Sequence, residues 1–340
     1  MEFGTTHYAI LTIALVALIL VGGYLTYNPG IDRDASAEWS DGRVDFSVEC
    51  SGSDVYSAVL IGGGEPLGKL YIYVDERAGD LHSEASGMVA DGMGPLAFDW
   101  GYAAEQITQM LRFRGFTSVE TVDRAGLEEA IAETTDDPGN TGILSVSFAL
   151  PSSVYSGNAD DPLLSWVRDG GRLYWLGSEA GRFHSDGDAI YLVEENRELL
   201  FGSDDAIDAS SKDISSYITG DVIENGFTDA LSLKGSTTLF GLSKGLQLGY
   251  VREGYSTIAA APFGSGCITV FAGGPDLEQF DDIGQTIAAG IGCDSSVLDC
   301  AEGKVTRGTA HGSMDFDGEC HLYVYMGGTY TDWGRTFYAP

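Results

Sequence analysis

The sequence predicts an α/β protein: an N-terminal transmembrane helix, then a mainly parallel sheet flanked by helices and inserted in a small β module. Three observations predict this class. An uncharged stretch of twenty residues lies near the start, strand and helix patterns alternate between Lys69 and about Ile291, and strand patterns lie before and after that region. Because neighbouring parallel strands are joined through helices, the alternation indicates a parallel sheet with helices on both faces.

The uncharged stretch runs from Tyr8 to Tyr27, and its twenty residues would span roughly 30 Å as a helix, the thickness of a bilayer core. Tyr8, Tyr24 and Tyr27 lie at its ends, where aromatic rings favour the membrane interface. A cleaved signal peptide is the alternative, but no basic residue precedes the run and no clean small-residue cleavage site follows it. Residues 1–28 are therefore predicted to be a single-pass anchor that contacts membrane lipid through residues 8–27.

The bulk of the chain is predicted to be extracytoplasmic. Flanking charge does not orient the span, since residues 1–7 hold no Lys or Arg and Arg33 lies just after it. A large acidic body with five cysteines fits that location.

The charge of the chain restricts its partners. It has 51 acidic and 18 basic residues, a formal charge of −33, and only five lysines. Nucleic acid is excluded as a natural partner because a phosphate polymer would be repelled. An acidic surface poor in lysine suits very salty surroundings, where a Debye length of ~3 Å at 1 M screens self-repulsion. The composition favours a halophilic archaeal source, and an ordinary acidic secreted protein is the alternative.

The first elements form a stalk and strands. Residues 29–42 are polar, contain Pro29 and Gly30, and are predicted to be a stalk. Residues 43–68 form the first part of the β module, with strands at Val44–Cys50 and Val55–Ile61.

Residues 69–292 are predicted to be the α/β domain, in which apolar runs typical of strands buried on both faces alternate with amphipathic helices. Asp123 is a predicted N-cap and Pro162 a predicted first helical residue. The predicted elements are a strand at Leu70–Val74, a helix at Tyr102–Phe113, a strand at Ser118–Val122, a helix at Leu127–Thr134, a strand at Ile143–Leu150, a helix from Pro162, a strand at Leu173–Leu176, a mixed excursion over 185–247, strands at Gln247–Arg252, Ser256–Pro262 and Cys267–Phe271, and a helix at Leu277–Ile291.

Residues 293–340 are again strand-like and complete the β module. A disulfide between Cys50 and Cys320 would join its two parts, and Cys293 with Cys300 would close a short loop. Cys267 is expected to be a buried, inert thiol. The sequence leaves the connectivity open.

The segment Asp161-Pro162-Leu163-Leu164-Ser165-Trp166-Val167-Arg168-Asp169-Gly170-Gly171-Arg172-Leu173-Tyr174-Trp175-Leu176-Gly177 resembles the helix, double-glycine turn and strand before the nucleophile of class I glutamine-amidotransferase-like proteins. Phe263–Phe271 is similar to the late hairpin of their non-catalytic branches. The resemblance covers roughly two thirds of the chain and implies a flavodoxin-like sheet.

The same resemblance implies that amidotransferase chemistry is absent. Where those enzymes place a cysteine in Gly-x-Cys-x-Gly, this chain has Gly177-Ser178-Glu179-Ala180-Gly181, so Glu179 stands in place of the thiolate. A carboxylate is a poor nucleophile for acyl transfer.

No other motif predicts a cofactor or a metal. Gly63–Lys69 imitates a P-loop, but Leu70 replaces the metal-binding hydroxyl residue and a strand follows it instead of a helix. The five histidines lack the spacing of zinc ligands. We therefore expect no cofactor.

One ligand cleft is predicted at the carboxyl ends of the strands, where open α/β sheets bind their ligands. Glu179 and His184 are the acid–imidazole pair closest in sequence there. The residues of this rim are Asp75, Glu76, Ser152, Ser153, Ser178, Glu179, His184 and Asp276.

Three functions follow from these features. The first is a membrane-anchored, extracytoplasmic, non-enzymatic subunit that binds proteins or glycans within a cell-surface assembly. The second is a structural subunit of an extracellular filament or coat, packed on copies of itself through the N-terminal helix. The third is a cell-surface hydrolase that uses Glu179.

Overall fold

The computed structural model describes most of the chain from residue 32 onward. Within residues 32–339 the segments not described are 64–66, 76–99, 114, 148, 177–179, 203–206, 211–237, 242–245, 249–254, 257, 272–278, 289 and 328–332. The predicted anchor and its tyrosines lie outside the described residues.

A seven-stranded sheet runs through the middle of the chain. Its order is β12-β14-β15-β7-β5-β3-β4, in which the five strands from β15 to β4 are parallel and β14 and β12 are antiparallel to their neighbours. The strands are β3 (Lys69–Tyr73), β4 (Val119–Val122), β5 (Thr141–Ser145), β7 (Arg172–Leu176), β12 (Leu246–Leu248), β14 (Ile258–Phe263) and β15 (Gly266–Phe271).

Helices cover both faces of this sheet because its strands are apolar on both sides. Alternate residues of a strand point to opposite faces, so Leu70 and Ile72 join one core while Tyr71 and Tyr73 join the other. Apolar side chains of α1 and α5 pack in the first core, and those of α2 and α3 pack in the second. The helices are α1 (Trp100–Phe113), α2 (Arg124–Thr134), α3 (Pro162–Arg168), α4 (Asn196–Phe201) and α5 (Gln279–Ala288).

The predicted helix signals lie where the sequence placed them. The Asp123 carboxylate accepts a hydrogen bond from the Gly126 amide at 2.9 Å and caps α2, which confirms its predicted role. Pro162 opens α3, and Gly170 ends that segment at φ +129, a backbone conformation that favours glycine.

A second sheet of five strands is built around one long strand, β2. Along one edge β2 pairs over its whole length with β16, and along the other edge it pairs first with β1 and then with β17. Val59 and Ile61 of β2 enter the first core of the α/β layers, whereas Ala58 and Leu60 face the core of the second sheet. The strands are β1 (Arg33–Ser40), β2 (Arg43–Gly62), β16 (Ser296–Asp315), β17 (Cys320–Gly327) and β18 (Trp333–Tyr338).

Two small sheets complete the described architecture. One has the order β6-β8-β9 and the other β10-β11-β13. Their strands are β6 (Leu150–Pro151), β8 (Phe183–Ser185), β9 (Ile190–Leu192), β10 (Ile207–Ser210), β11 (Thr238–Gly241) and β13 (Tyr255–Ser256).

The predicted fold class is wrong for the chain as a whole. Among the described strands antiparallel pairings outnumber parallel ones, and the central sheet is itself mixed. The central sheet is mixed because β14 and β15 are joined by the two-residue turn Gly264-Ser265, and so short a connection can join only antiparallel strands. The β module is also not small, since β2 and β16 have twenty residues each.

The stalk and the localisation also need correction. Arg33–Ser40, predicted as part of a stalk, is strand β1. Among the described helices none is long and apolar enough to cross a membrane; α1 is the longest of them at 14 residues, about 21 Å. The predicted single-pass membrane localisation is therefore not supported. The division into domains stays a prediction.

Candidate functional site

The described part of the predicted rim centres on Ser152 and His184. Four of the eight predicted rim residues are described, namely Asp75, Ser152, Ser153 and His184. The others, Glu76, Ser178, Glu179 and Asp276, lie outside the described residues.

The Ser152 hydroxyl oxygen lies 2.7 Å from Nδ1 of His184. This is the distance of a short hydrogen bond and lies within the range of a nucleophile with its general base. Both residues are half-buried, so the pair is partly accessible to solvent. With the proton of the imidazole on Nε2, Nδ1 accepts the hydroxyl hydrogen of Ser152.

The pairing of two short strands brings these residues together. Ser152 directly follows β6, and β6 pairs in parallel with β8 so that Leu150 lies opposite His184 and Pro151 opposite Ser185. The Ser152 amide donates to the Ser185 carbonyl at 2.8 Å. Both backbones are therefore fixed by hydrogen bonds on either side of the Ser152–His184 contact.

The surroundings keep the His184 imidazole neutral near pH 7. Burial lowers the pKa of His184, and the carboxylates of Asp161 and Asp186 offset only part of that effect. One face of the imidazole stacks on Tyr191, with 5.1 Å between ring centroids and 23° between the ring planes. The Tyr191 hydroxyl in turn donates to Asp186 at 2.5 Å. A neutral, oriented imidazole can accept a proton.

Arg124, the first residue of α2, connects this pair to the end of β3. Its guanidinium donates to the Ser185 carbonyl at 2.7 Å and to Oδ2 of Asp75 at 2.8 Å. Ser185 is the residue after His184 and is fully buried. The position of β8 beside Ser152 is thus coupled to the ion pair of Arg124 with Asp75.

Polar contacts hold Asp75 on the described part of the rim. Besides Arg124, Tyr73 donates its hydroxyl to Oδ2 at 3.0 Å, and the Asp75 amide donates to the Ser147 hydroxyl at 2.5 Å. Burial first, and then the Asp75 charge, raise the pKa of Tyr73, so Tyr73 remains a donor. Asp75 and Arg124 line an open cleft of about 400 Å³.

Ser153 takes no part in the Ser152–His184 contact. Its side chain is exposed and donates a hydrogen bond to Glu128 on α2. Adjacent serines therefore have different partners, and only Ser152 faces an imidazole.

Sequence reasoning missed Arg124, Ser185 and Tyr191. Arg124 had a signal: it follows β4, and the carboxyl end of a parallel strand lies at the same edge as the other carboxyl ends. Ser185 and Tyr191 had none, because the pairing of β8 with β6 and β9 brings them to the site. Within the described residues, groups of three or more metal-ligating side chains are absent.

All five cysteines are free thiols, so neither predicted disulfide is formed. Cys320 lies opposite Gly62 of β2, whereas Cys50 lies twelve positions away along the same strand (62 − 50 = 12), which is about 40 Å of extended chain. Cys293 contacts Cys267 rather than Cys300.

No family model and no curated protein matches this sequence. Solved structures with similarity include a GH42 beta-galactosidase from G. stearothermophilus, with 13% identity and TM-score 0.40, covering 78% of this chain and 35% of that one. A beta-galactosidase from Rahnella sp. R3 has 15% identity and TM-score 0.39, with coverage of 78% and 36%. An exo-beta-1,4-mannosidase from an Opitutaceae bacterium has 13% identity and TM-score 0.32, with coverage of 66% and 35%.

This chain thus spans about a third of the length of those proteins, and identities of this size do not assign it to their family. The prediction of a non-enzymatic protein with a degenerate site is corrected on the geometry of the rim, which holds a serine hydroxyl and an imidazole at hydrogen-bond distance. The resemblance to amidotransferase-like proteins stays a prediction, since residues 177–179 lie outside the described residues.

Proposed function

We propose that this protein is a hydrolase in which Ser152 is the nucleophile and His184 the general base. The observation that carries the proposal is the 2.7 Å contact of the Ser152 hydroxyl with Nδ1 of His184 at the rim of the parallel strands. The reaction class that this pair serves best is acyl transfer to water, as in ester hydrolysis.

The chemistry runs in two balanced steps. As the Ser152 oxygen attacks the substrate carbonyl, Nδ1 of His184 takes the hydroxyl proton and then gives it to the leaving alcohol, which leaves an acyl-serine. A water molecule then gives a proton to the same nitrogen and attacks the acyl carbon. The proton returns to Ser152 when the acid is released.

Two features support His184 as the base. Since burial lowers its pKa from the usual 6.5, the imidazole is largely unprotonated at neutral pH and ready to accept a proton. Tyr191 holds the ring plane, and the bond from Arg124 to the Ser185 carbonyl holds the strand. Arg124 is thus a positioning residue in this scheme.

The test is hydrolysis of a series of p-nitrophenyl acyl esters by the full chain and by matched variants. Ser152→Ala and His184→Gln are each expected to lower kcat/KM by ~10³-fold or more, because each removes one half of a pair that acts as a unit. Ser153→Ala is the control and is expected to retain the activity, since the Ser153 side chain faces Glu128.

The pH profile provides a second readout. The rate requires neutral His184, so kcat/KM should rise with pH through the pKa of this residue, with the midpoint of the rise below pH 6.5, because burial moves the pKa down. An acid limb centred above pH 6.5 would contradict the assigned environment.

A variant of Glu179 distinguishes this proposal from the hydrolase predicted from the sequence, in which Glu179 carries the reaction. A p-nitrophenyl β-galactoside represents the substrates named for the similar structures. The Ser152 proposal would be overturned if the chain hydrolysed that glycoside and if Glu179→Gln abolished this activity while Ser152→Ala left it unchanged.

A further inference from the structure

A second cleft lies at the amino ends of the parallel strands, whereas Ser152 lies at their carboxyl ends. It is lined by the first residues of β7 and β15 and by the loop before β16, and its volume is about 960 Å³. Residues of both large sheets line it, namely Arg172 and Cys267 of the central sheet and Cys320 and His321 of the second sheet, together with Cys293 from the loop. Because this cleft lies at the amino ends of the strands, its chemistry is independent of the proposed function.

Cys267 and Cys293 contact each other in the wall of this cleft. The Cys293 amide donates to the Cys267 sulfur at 2.9 Å. The Cys293 sulfur also lies 3.7 Å from the carbonyl oxygen of Gly266, the residue before Cys267. Residues 26 positions apart (293 − 267 = 26) are therefore neighbours.

The backbone around both cysteines is fixed. On the strand side, the Cys267 amide donates to the Gly171 carbonyl at 3.2 Å. On the loop side, the Gly292 amide donates to the Ser295 hydroxyl at 3.0 Å, and Arg172 donates to the Gly290 carbonyl at 3.2 Å. These hydrogen bonds fix the backbone on both the strand side and the loop side, and so keep the two cysteines next to each other.

The two thiols differ in access to solvent and in acidity. Cys267 is 5% exposed, whereas Cys293 is half-buried. The hydrogen bond from Cys267 lowers the pKa of the Cys293 thiol, while that bond and burial raise the pKa of Cys267. Cys293 is therefore the attacking thiol and Cys267 the resolving one, since the accessible thiolate is the nucleophile.

We propose that Cys267 and Cys293 form a reversible disulfide by exchange with a low-molecular-weight disulfide that enters this cleft. The Cys293 thiolate attacks one sulfur of the small disulfide, forming a mixed disulfide and releasing one small thiolate. Cys267 then loses its proton and attacks the Cys293 sulfur, which releases the second small thiolate. Two protein thiols are oxidised and one small disulfide is reduced to two thiols.

The test uses the full, folded chain and oxidised glutathione. After exchange, alkylation and proteolysis, mass spectrometry should find the Cys267 peptide linked to the Cys293 peptide, and two fewer of the five thiols should be alkylated. Dithiothreitol should restore both. Before oxidation, Cys293 should be alkylated at least about tenfold faster than Cys267.

Variants make the outcome decisive. Cys267→Ser should stop at the glutathione adduct on Cys293, and Cys293→Ser should give neither the adduct at this cleft nor the link. Cys300→Ser is the matched control, because Cys300 is half-buried and near in sequence, and it should behave as the unmodified chain. A Cys293–Cys300 link, a link that survives in Cys293→Ser, or no oxidation in a chain with native circular dichroism would each overturn the proposal.

Discussion

At the scale of single residues, burial decides the direction of the pKa shift of His184 but is outweighed by hydrogen bonds at Asp54. Burial lowers the pKa of His184 and favours its neutral form. Burial alone would raise the pKa of Asp54, but hydrogen bonds from Arg33 and Cys50 outweigh it, so the pKa is lowered and the carboxylate stays charged. Arg33 contacts this carboxylate at 2.5 and 3.1 Å.

The Asp54 pair leads to a prediction about stability. Its two side chains are 4% and 0% exposed, so Asp54→Asn removes a charge that faces a buried guanidinium. We expect the free energy of unfolding to fall by about 3–5 kcal/mol, measured by urea denaturation. The control is Asp45→Asn, which removes the exposed pair with Arg43 and should cost less than about 1 kcal/mol. Equal losses would contradict the difference in burial.

The same pair fixes the direction of a pH effect. Because the pKa of Asp54 is lowered from 3.8 in the folded chain, its contribution is fully present well above pH 3.8. It is lost as the pH falls through the folded pKa. Asp54→Asn should therefore reduce the loss of unfolding free energy on acidification.

Single-residue reasoning from the sequence identified Ser152 and His184 separately but not as a pair. They are 32 positions apart, and the contact depends on the register of β6 with β8. Two- and three-residue strands carry too few side chains to show a periodicity, so their register could not be predicted.

At the scale of elements, strands and helices with strong apolar patterns were predicted closely. The predicted strand Leu70–Val74 corresponds to β3 at Lys69–Tyr73, and the predicted helix Tyr102–Phe113 to α1 at Trp100–Phe113. β16 was missed as a single strand because, of its described side chains, only Val305 and Met314 are buried. A strand so exposed lacks the apolar alternation that predicts one.

The N-cap of α2 provides a prediction at this scale. Asp123→Ala removes the bond to the Gly126 amide and should lower the free energy of unfolding by about 1 kcal/mol. Thermal denaturation of the variant measures this. Asp137→Ala is the comparison, since Asp137 precedes a short helical turn, Pro138–Asn140, with no side-chain cap bond. A loss no larger for Asp123→Ala than for Asp137→Ala would contradict the assigned cap.

At the scale of the whole molecule, topology was less predictable than the elements. β16 pairs with β2 although Gly62 and Ser296 are 234 positions apart (296 − 62 = 234). Local periodicity carries no information about such pairings. The sequence therefore indicated the helix-covered parallel strands but overestimated their share of the fold.

The net charge of −33 predicts that salt stabilises the whole molecule. Raising KCl from about 0.1 M to about 2 M shortens the Debye length from ~10 Å to below ~3 Å, so repulsion among surface carboxylates falls. The thermal unfolding midpoint should rise, with most of the gain below about 1 M. The uncharged osmolyte sucrose at matched osmolality is the control. A midpoint that is flat or falls with KCl would contradict the prediction.

The position of β2 also has a consequence for biosynthesis. During translation β2 can pair with β1 as soon as both are made. The edge of β2 that pairs with β16 stays unpaired until β16 has been synthesised. Until the ribosome has made more than two hundred further residues, that edge can recruit foreign strands. A nascent chain of this protein therefore gains from a holdase, or from rapid elongation, for as long as that edge is uncovered.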